Sequence, residues 1–232
     1  MGKNNFAQCV EDVSLSFLQD LKKQYKKTDQ FLSELFTEAC TQNLGVFDLT
    51  SDEKKLDHIT RCNIIKHLNK YKKWWDSTNV IGIEQQFFTN QPFAKCRGQG
   101  GANISAIKIG EIVYAWFLLT YPEIQELSSL SNFDINKKYI CYFGSQNKTQ
   151  MLGCPSTIRK KDQRKKWAKE KAIEIFLLRN ETKYADLLTM RKKRGDQVEK
   201  GKNKLRVNKK DDVSDCLISI QALKLRYFIL KN

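Results

Sequence analysis

Apolar positions along this chain recur at two spacings. From Leu15 to Cys40 the residues Leu18, Leu21, Tyr25, Phe31, Leu35 and Phe36 return near the helical period, after a stretch from Asn5 to Val13 that reads as a short strand. Leu44 to Leu49 (LGVFDL) is strand-like, and a capping-box pattern at Thr50 and Ser51, with Glu53 three residues beyond Thr50, predicts a helix running to about Trp75. Val80 to Phe88 (VIGIEQQFF) is a short, β-branched apolar run and predicts a buried strand. The glycine-rich segment at 98–103 (GQGGAN) reads as a loop feeding a helix from Asn103 to Leu119, which Pro122 stops. Tyr139 to Phe143 (YICYF) is a further strand, followed by the polar turn GSQNKTQ. Next comes a helix capped by Asp162, with Trp167, Ala168, Ala172, Ile175 and Phe176 on one face. The last helix, Asp211 to Leu230, is apolar at Val213, Leu217, Ile220, Leu223 and Phe228. Strands alternating with helices predict an α/β sheet covered by helices, and the residues 15–42 read as a helical insertion into it. No internal repeat interrupts this order.

Composition narrows the class. With 232 residues, 41% hydrophobic content and three prolines, the chain suits a single domain, 1–232, with a real core, and is neither disordered nor collagenous. Forty-one Lys and Arg against 26 Asp and Glu give a net charge of +15, which calls for a polyanionic partner: nucleic acid, or less favourably an acidic membrane surface. The charge is local, since residues 159–210 hold twenty Lys or Arg against seven Asp or Glu. Within that stretch, 191–210 has few apolar residues and two glycines and reads as a mobile basic loop. No apolar run approaches the roughly 20 residues that cross a bilayer. The start MGKNNFAQC has no secretory pattern, so an intracellular setting is expected. Seven scattered cysteines without a CxxC pair read as reduced thiols.

Among the acidic residues three stand out. Glu84 ends the apolar run Val80 to Ile83, where a carboxylate is costly unless something neutralises it. Asp212 and Asp215 lie three apart at the start of the last helix, hence on one face, with Asp211 beside them. Three hard oxygen ligands suit Mg²⁺, and a basic surface next to them suits phosphodiester hydrolysis by two metal ions. Two simpler roles compete: Asp residues in a first helical turn serve as dipole partners, and Glu84 pairs with a lysine at a strand end. His58, Cys62 and His67 share a helix, yet no second ligand pair completes a zinc site.

At these residues the sequence resembles the RuvC-type Holliday junction resolvases, in particular the poxvirus and fungal mitochondrial branch of that ribonuclease H-like superfamily. GKNNFA (2–7) is similar to the first-strand motif, VIGIEQQ (80–86) to the motif carrying the catalytic Glu, NISAIKIGEIVYAWF (103–117) to the following helix, and KKDDVSDCL (209–217) to the final motif with two Asp three apart. The resemblance implies a mixed sheet flanked by helices, with Glu84, Asp212 and Asp215 binding two Mg²⁺ ions, Mn²⁺ being an alternative. The family's first Asp falls two positions before Gly2, one residue upstream of Met1, so the resemblance implies a truncated first strand here. A start assigned too late, a shortened chain and a protein that has lost activity all fit that departure, and Asp12 is disfavoured as a substitute by its strand position. The implied function is a metal-dependent endonuclease of DNA recombination and repair that resolves four-way junctions. The alternative is a junction-binding protein impaired in catalysis.

The resemblance further implies branched DNA as substrate and a homodimer that cuts two opposed strands, with no membrane partner. A viral replication factory in cytoplasm or nucleus is the implied setting, ahead of the mitochondrion. Candidate phosphate contacts are Lys148, Arg159, Lys160, Lys161, Lys165, Lys166 and Lys169, and the rival reading of such a run is a solvated helix face. The apolar face of Asn103 to Leu119 is a candidate dimer interface that core burial explains equally well.

Overall fold

The computed structural model describes residues 6–26, 28–50, 56–85, 104–127, 133–144, 148–189 and 210–230. In chain order the elements are β1 (Phe6–Asp12), α1 (Leu15–Lys23), α2 (Asp29–Thr37), β2 (Cys40–Phe47), α3 (His58–Lys70), α4 (Lys72–Ser77), β3 (Val80–Gln85), α5 (Ile104–Thr120), β4 (Gln125–Glu126), β5 (Tyr139–Gly144), α6 (Lys148–Met151), α7 (Lys161–Leu178), α8 (Thr182–Thr189) and α9 (Lys210–Lys224). A π-helical turn, Leu225–Leu230, continues α9. The architecture is mixed α/β: a parallel sheet in the order β3-β5-β4 and a separate antiparallel pair, β1 with β2. The chain forms two compact units interleaved in sequence: Met1–Phe6, Asp48–Leu127 and Asn136–Gln146 make the first, and Ala7–Phe47, Ser128–Ile135 and Asn147–Asn232 the second.

In the first unit β3 and β5 run in register from Val80 opposite Tyr139 to Gln85 opposite Gly144. Burial alternates along β3 from Ile81 to Glu84: Ile81 and Ile83 are buried whereas Gly82 is exposed and Glu84 half-buried. The strand is therefore covered on one face rather than two, and that face carries α5. Where the helix crosses, a Cβ on Gly110 would lie 3.9 Å from Ile83 and 4.0 Å from Tyr142, so glycine lets α5 come close. On α5, Ala106, Ile109, Val113, Trp116 and Phe117 are buried, so its main apolar face is core; Ile104, Leu118 and Leu119 remain exposed. The chain leaves the helix at Tyr121, ahead of Pro122, as the restriction on pre-proline residues requires.

The second unit packs α7 against α2, α8 and α9. Ala168, Ala172, Ile175 and Phe176 form the buried stripe of α7, and Val213, Leu217, Ile218 and Ala222 that of α9. A Schellman motif ends α7: the Glu181 amide donates to Phe176 O at 2.8 Å and the Asn180 amide to Leu177 O at 3.1 Å. Asn180 sits at φ 57°, a left-handed conformation that asparagine tolerates better than most residues.

Several boundaries differ from those the sequence predicts. The helical stretch after β1 is two helices, α1 and α2, capped by the Ser14 and Thr28 hydroxyls. The helix expected from Thr50 is capped at Asp57, whose carboxylate accepts from the Thr60 amide at 2.7 Å, while 51–55 lie outside the described residues. Asp162 lies inside the first turn of α7; the N-cap is Lys160, which makes no side-chain cap bond. Residues 191–209 of the basic loop predicted at 191–210 and the glycine-rich loop at 98–103 also fall outside the described residues, and Lys210 begins α9.

Candidate metal and nucleic-acid site

The acidic start of α9 lies in a basic frame. Asp211 and Asp212 occupy its first turn, where negative charge meets the positive end of the helix dipole, and Asp215 follows one turn later on the same side. The α7 and α9 helices pack together, which brings Lys165 Nζ to 3.2 Å from Asp211 Oδ2. That bond, together with the charges of Asp211, Asp215 and Asp212, raises the Lys165 ammonium above its ordinary range despite partial burial. From the other side α6 delivers Lys148, whose Nζ stands 3.2 Å from Asp215 Oδ1 and donates to Ser219 Oγ at 3.0 Å. The Ser219 hydroxyl in turn donates to Asp215 O at 2.7 Å, so one small network holds both the side chain and the backbone of Asp215.

The candidate phosphate contacts separate into two groups. Arg159, Lys160, Lys161, Lys165 and Lys166 are exposed around the amino end of α7, Lys169 is half-buried one turn further on, and Arg164 adds another exposed cation. Lys148 is different: its side chain is 7% exposed while that of Asp215 is 43% exposed. It is an interior partner of an acidic residue rather than a member of the surface cluster.

Glu84 lies at the carboxyl end of β3 in the first unit, opposite Phe143 of β5. Alternation places it on the sheet face away from Ile81 and Ile83, half-buried. Carboxyl ends of parallel strands are where open α/β sheets bind ligands.

Asp212 and Asp215 present hard oxygen donors one turn apart in partly exposed positions, a donor chemistry that fits Mg²⁺ with its retained waters. Among the described residues no group of three or more His, Cys, Asp or Glu is gathered as a metal cage. His58 and Cys62 touch at 3.4 Å on α3, whereas His67 is buried between Phe6 and Tyr71.

Sequence reasoning missed a second charged cluster in the second unit. The side chain of Glu11 on β1 is 1% exposed, and its Oε1 accepts from Arg179 Nη1 at 2.6 Å and from Gln221 Nε2 at 2.7 Å. Its Oε2 lies 3.1 Å from Lys224 Nζ. Burial alone would raise the Glu11 carboxyl, but Lys224 and Arg179 outweigh it and hold it below its usual range. Burial lowers Lys224, with repulsion from Arg179 opposing the attraction of Glu11. The only sequence signal is an acid sharing a strand face with Ala7 and Cys9; nothing ties it to a partner 168 positions away.

No family model matches the chain, and no solved structure matches it. The chain is similar over its whole length to the uncharacterized protein 170L of Invertebrate iridescent virus 6, at 24% identity over 255 aligned positions covering 89% of that protein. No helix among the described residues is long and apolar enough to cross a membrane.

Proposed function

We propose that this protein is a metal-dependent, structure-selective DNA endonuclease of the RuvC type, with a ribonuclease H-like fold, that resolves four-way junctions. The observation that carries the reading is the meeting of α7 and α9: a cluster of exposed cations is brought beside helix-borne carboxylates, with Lys165 on Asp211 at 3.2 Å. Exposed cations at the amino end of α7 repel one another and oppose the helix dipole. An arriving phosphate relieves both costs, and exposed backbone amides of the first turn add donors. Arg159, Lys160, Lys161, Lys165, Lys166 and Lys169 bind the DNA backbone in this reading, which sets affinity without reading sequence.

In this reading Asp212 and Asp215 would take a divalent cation, Mg²⁺ or Mn²⁺, Glu84 being a further ligand only by the resemblance, and the ion would supply charge neutralisation at the scissile phosphate and an activated water. A homodimer would match the two-fold symmetry of the junction, and the similarity to a viral protein favours a viral setting. The second reading, junction binding without cleavage, draws on the ion pairs that Asp211 and Asp215 already make with lysines. Incubation of synthetic four-way junctions with the full chain and Mg²⁺ separates the two. Cleavage by the unsubstituted chain, reduced at least about 100-fold by Glu84→Gln with junction binding in EDTA unchanged, supports the nuclease. Equal cutting by the variant removes Glu84 from the site, and binding without cutting by both leaves the second reading.

A further inference from the structure

Inside the second unit two buried cations share one carboxylate. The side chains of Glu11, Arg179 and Lys224 are 1%, 1% and 4% exposed. Arg179 directs its guanidinium onto Glu11 Oε1, Gln221 Oε1 and Phe36 O. Lys224 has a single partner among the described residues, Glu11 Oε2 at 3.1 Å. The Cys9 thiol of β1 also faces this group, but burial and the charge of Glu11 push the thiol up, so it supplies no second anion. One positive charge is therefore left over in the interior, where a charge without a counter-charge is costly. A guanidinium does not give up its proton, so relief falls to Lys224. Its ammonium can lose the proton and stay, or keep the proton and reach water, and the second route moves the chain. Lys224 is the last residue of α9, and the π-helical turn Leu225–Leu230 follows at once, packed on α1 with Leu225, Tyr227, Phe228 and Ile229 buried.

We propose that Lys224 is a proton-operated latch on this turn: as the ammonium it favours release of Leu225–Leu230 from α1, and as the free amine it keeps the turn docked. The proton then acts as a ligand that prefers the open state, and such a difference in binding is what shifts an equilibrium. Glu11 and Cys9 from β1 and Arg179 after α7 are the groups that act on Lys224. Arg226 of the turn is half-buried over the Tyr227 ring, and α1 buries Leu18 and Leu21 while Asp20 and Lys23 are exposed and Lys22 is half-buried. Burial lowers Lys224 in the docked chain, whereas the ordinary 10.5 returns once the side chain meets water. Between those values the open state holds a proton that the docked state lacks, so docking strengthens as pH rises through the window and is weakest below it.

The test follows the full chain and its variants from pH 7 to 10 by hydrogen exchange at the amides of 225–230, corrected for intrinsic rates, alongside thermal unfolding. In the unsubstituted chain the opening equilibrium of the turn falls by up to about tenfold per pH unit inside the window. Lys224→Met and Lys224→Gln leave Glu11 paired with Arg179. Both open less at pH 7, melt about 2–4 °C higher there, and show no such pH dependence. Lys224→Arg, whose charge cannot be shed, opens more than the unsubstituted chain and is equally flat with pH. Opening of the unsubstituted chain that is the same from pH 7 to 10 overturns the proposal, as does a pH dependence that the neutral variants retain. Neutral variants that open more at pH 7, or that both fail to fold, also overturn it, because the ammonium would then be an anchor.

Discussion

Arg179 ties three elements with one side chain. Its Nε donates to Phe36 O at 2.5 Å, Nη1 to Glu11 at 2.6 Å and Nη2 to Gln221 at 3.2 Å, so the end of α2, strand β1 and helix α9 meet at the guanidinium. The planar fork suits this task where lysine does not. Removing Glu11 leaves two buried cations without their counter-charge, so Glu11→Gln lowers unfolding free energy by about 3–5 kcal/mol, read from the urea midpoint. His67 makes a pH prediction. Burial, with Lys70 nearby, pushes its imidazole down to about 4. The unfolded chain takes up a proton near pH 6.5 that the folded chain refuses until about 4, so stability is full above that window and declines as pH falls through it. The decline amounts to roughly 3 kcal/mol, and His67→Leu flattens it in unfolding curves recorded from pH 7 to 4.

At the scale of elements, α7 shows a conflict between stability and proposed use. A helix start ordinarily carries acids and a capping side chain; this one carries Lys160 at the cap and Lys161, Arg164 and Lys165 in its first turns, with Asp162 alone in opposition. Apart from Lys165, which pairs with Asp211, folding gives no reason for that choice, whereas the proposed polyanionic ligand would. Lys161→Glu is therefore expected to stabilise the chain slightly, by about 0.3–1 kcal/mol. The same substitution weakens junction binding several-fold in a low-salt gel-shift or anisotropy titration. A loss of stability with unchanged binding would place these cations in a structural role. The other end of α7 follows the usual rules, and the Schellman motif at Asn180 fixes where Arg179 and Glu181 project. Glu181 then receives the Thr41 amide and hydroxyl, the latter at 2.7 Å, which satisfies the start of β2.

For the whole molecule, a net charge of +15 would make the proposed nucleic-acid affinity a function of ionic strength. If about five or six phosphates are neutralised by the α7 cations, the logarithm of the junction association constant falls with a slope near −5 against the logarithm of salt concentration. A slope near zero would remove electrostatic recognition of DNA from the proposal. A slope near −1 would mean that the exposed lysines of α7 are a solvated face. Charge reversal at Lys166, among the exposed cations, should lower the slope by about one unit.

Local patterns in the sequence determined the elements. Periodicity marked β1, β3, α5, β5, α7 and α9, and Asp212 and Asp215 fall on one helix face because residues three apart must do so. Element ends were less legible, since a cap is a choice between competing neighbours: Asp57 caps α3, and Lys160 precedes α7 where Asp162 was the better candidate on composition. Only the tertiary structure decided which charges are partners. Lys148 reads like any other lysine in the sequence, but a position on α6 facing α9 turns it inward onto Asp215, 67 residues away. Glu11 acquires Arg179 and Lys224 in the same way. Charge pairing acts through space over a few ångströms, and the chain brings such distances about only when its apolar faces pack.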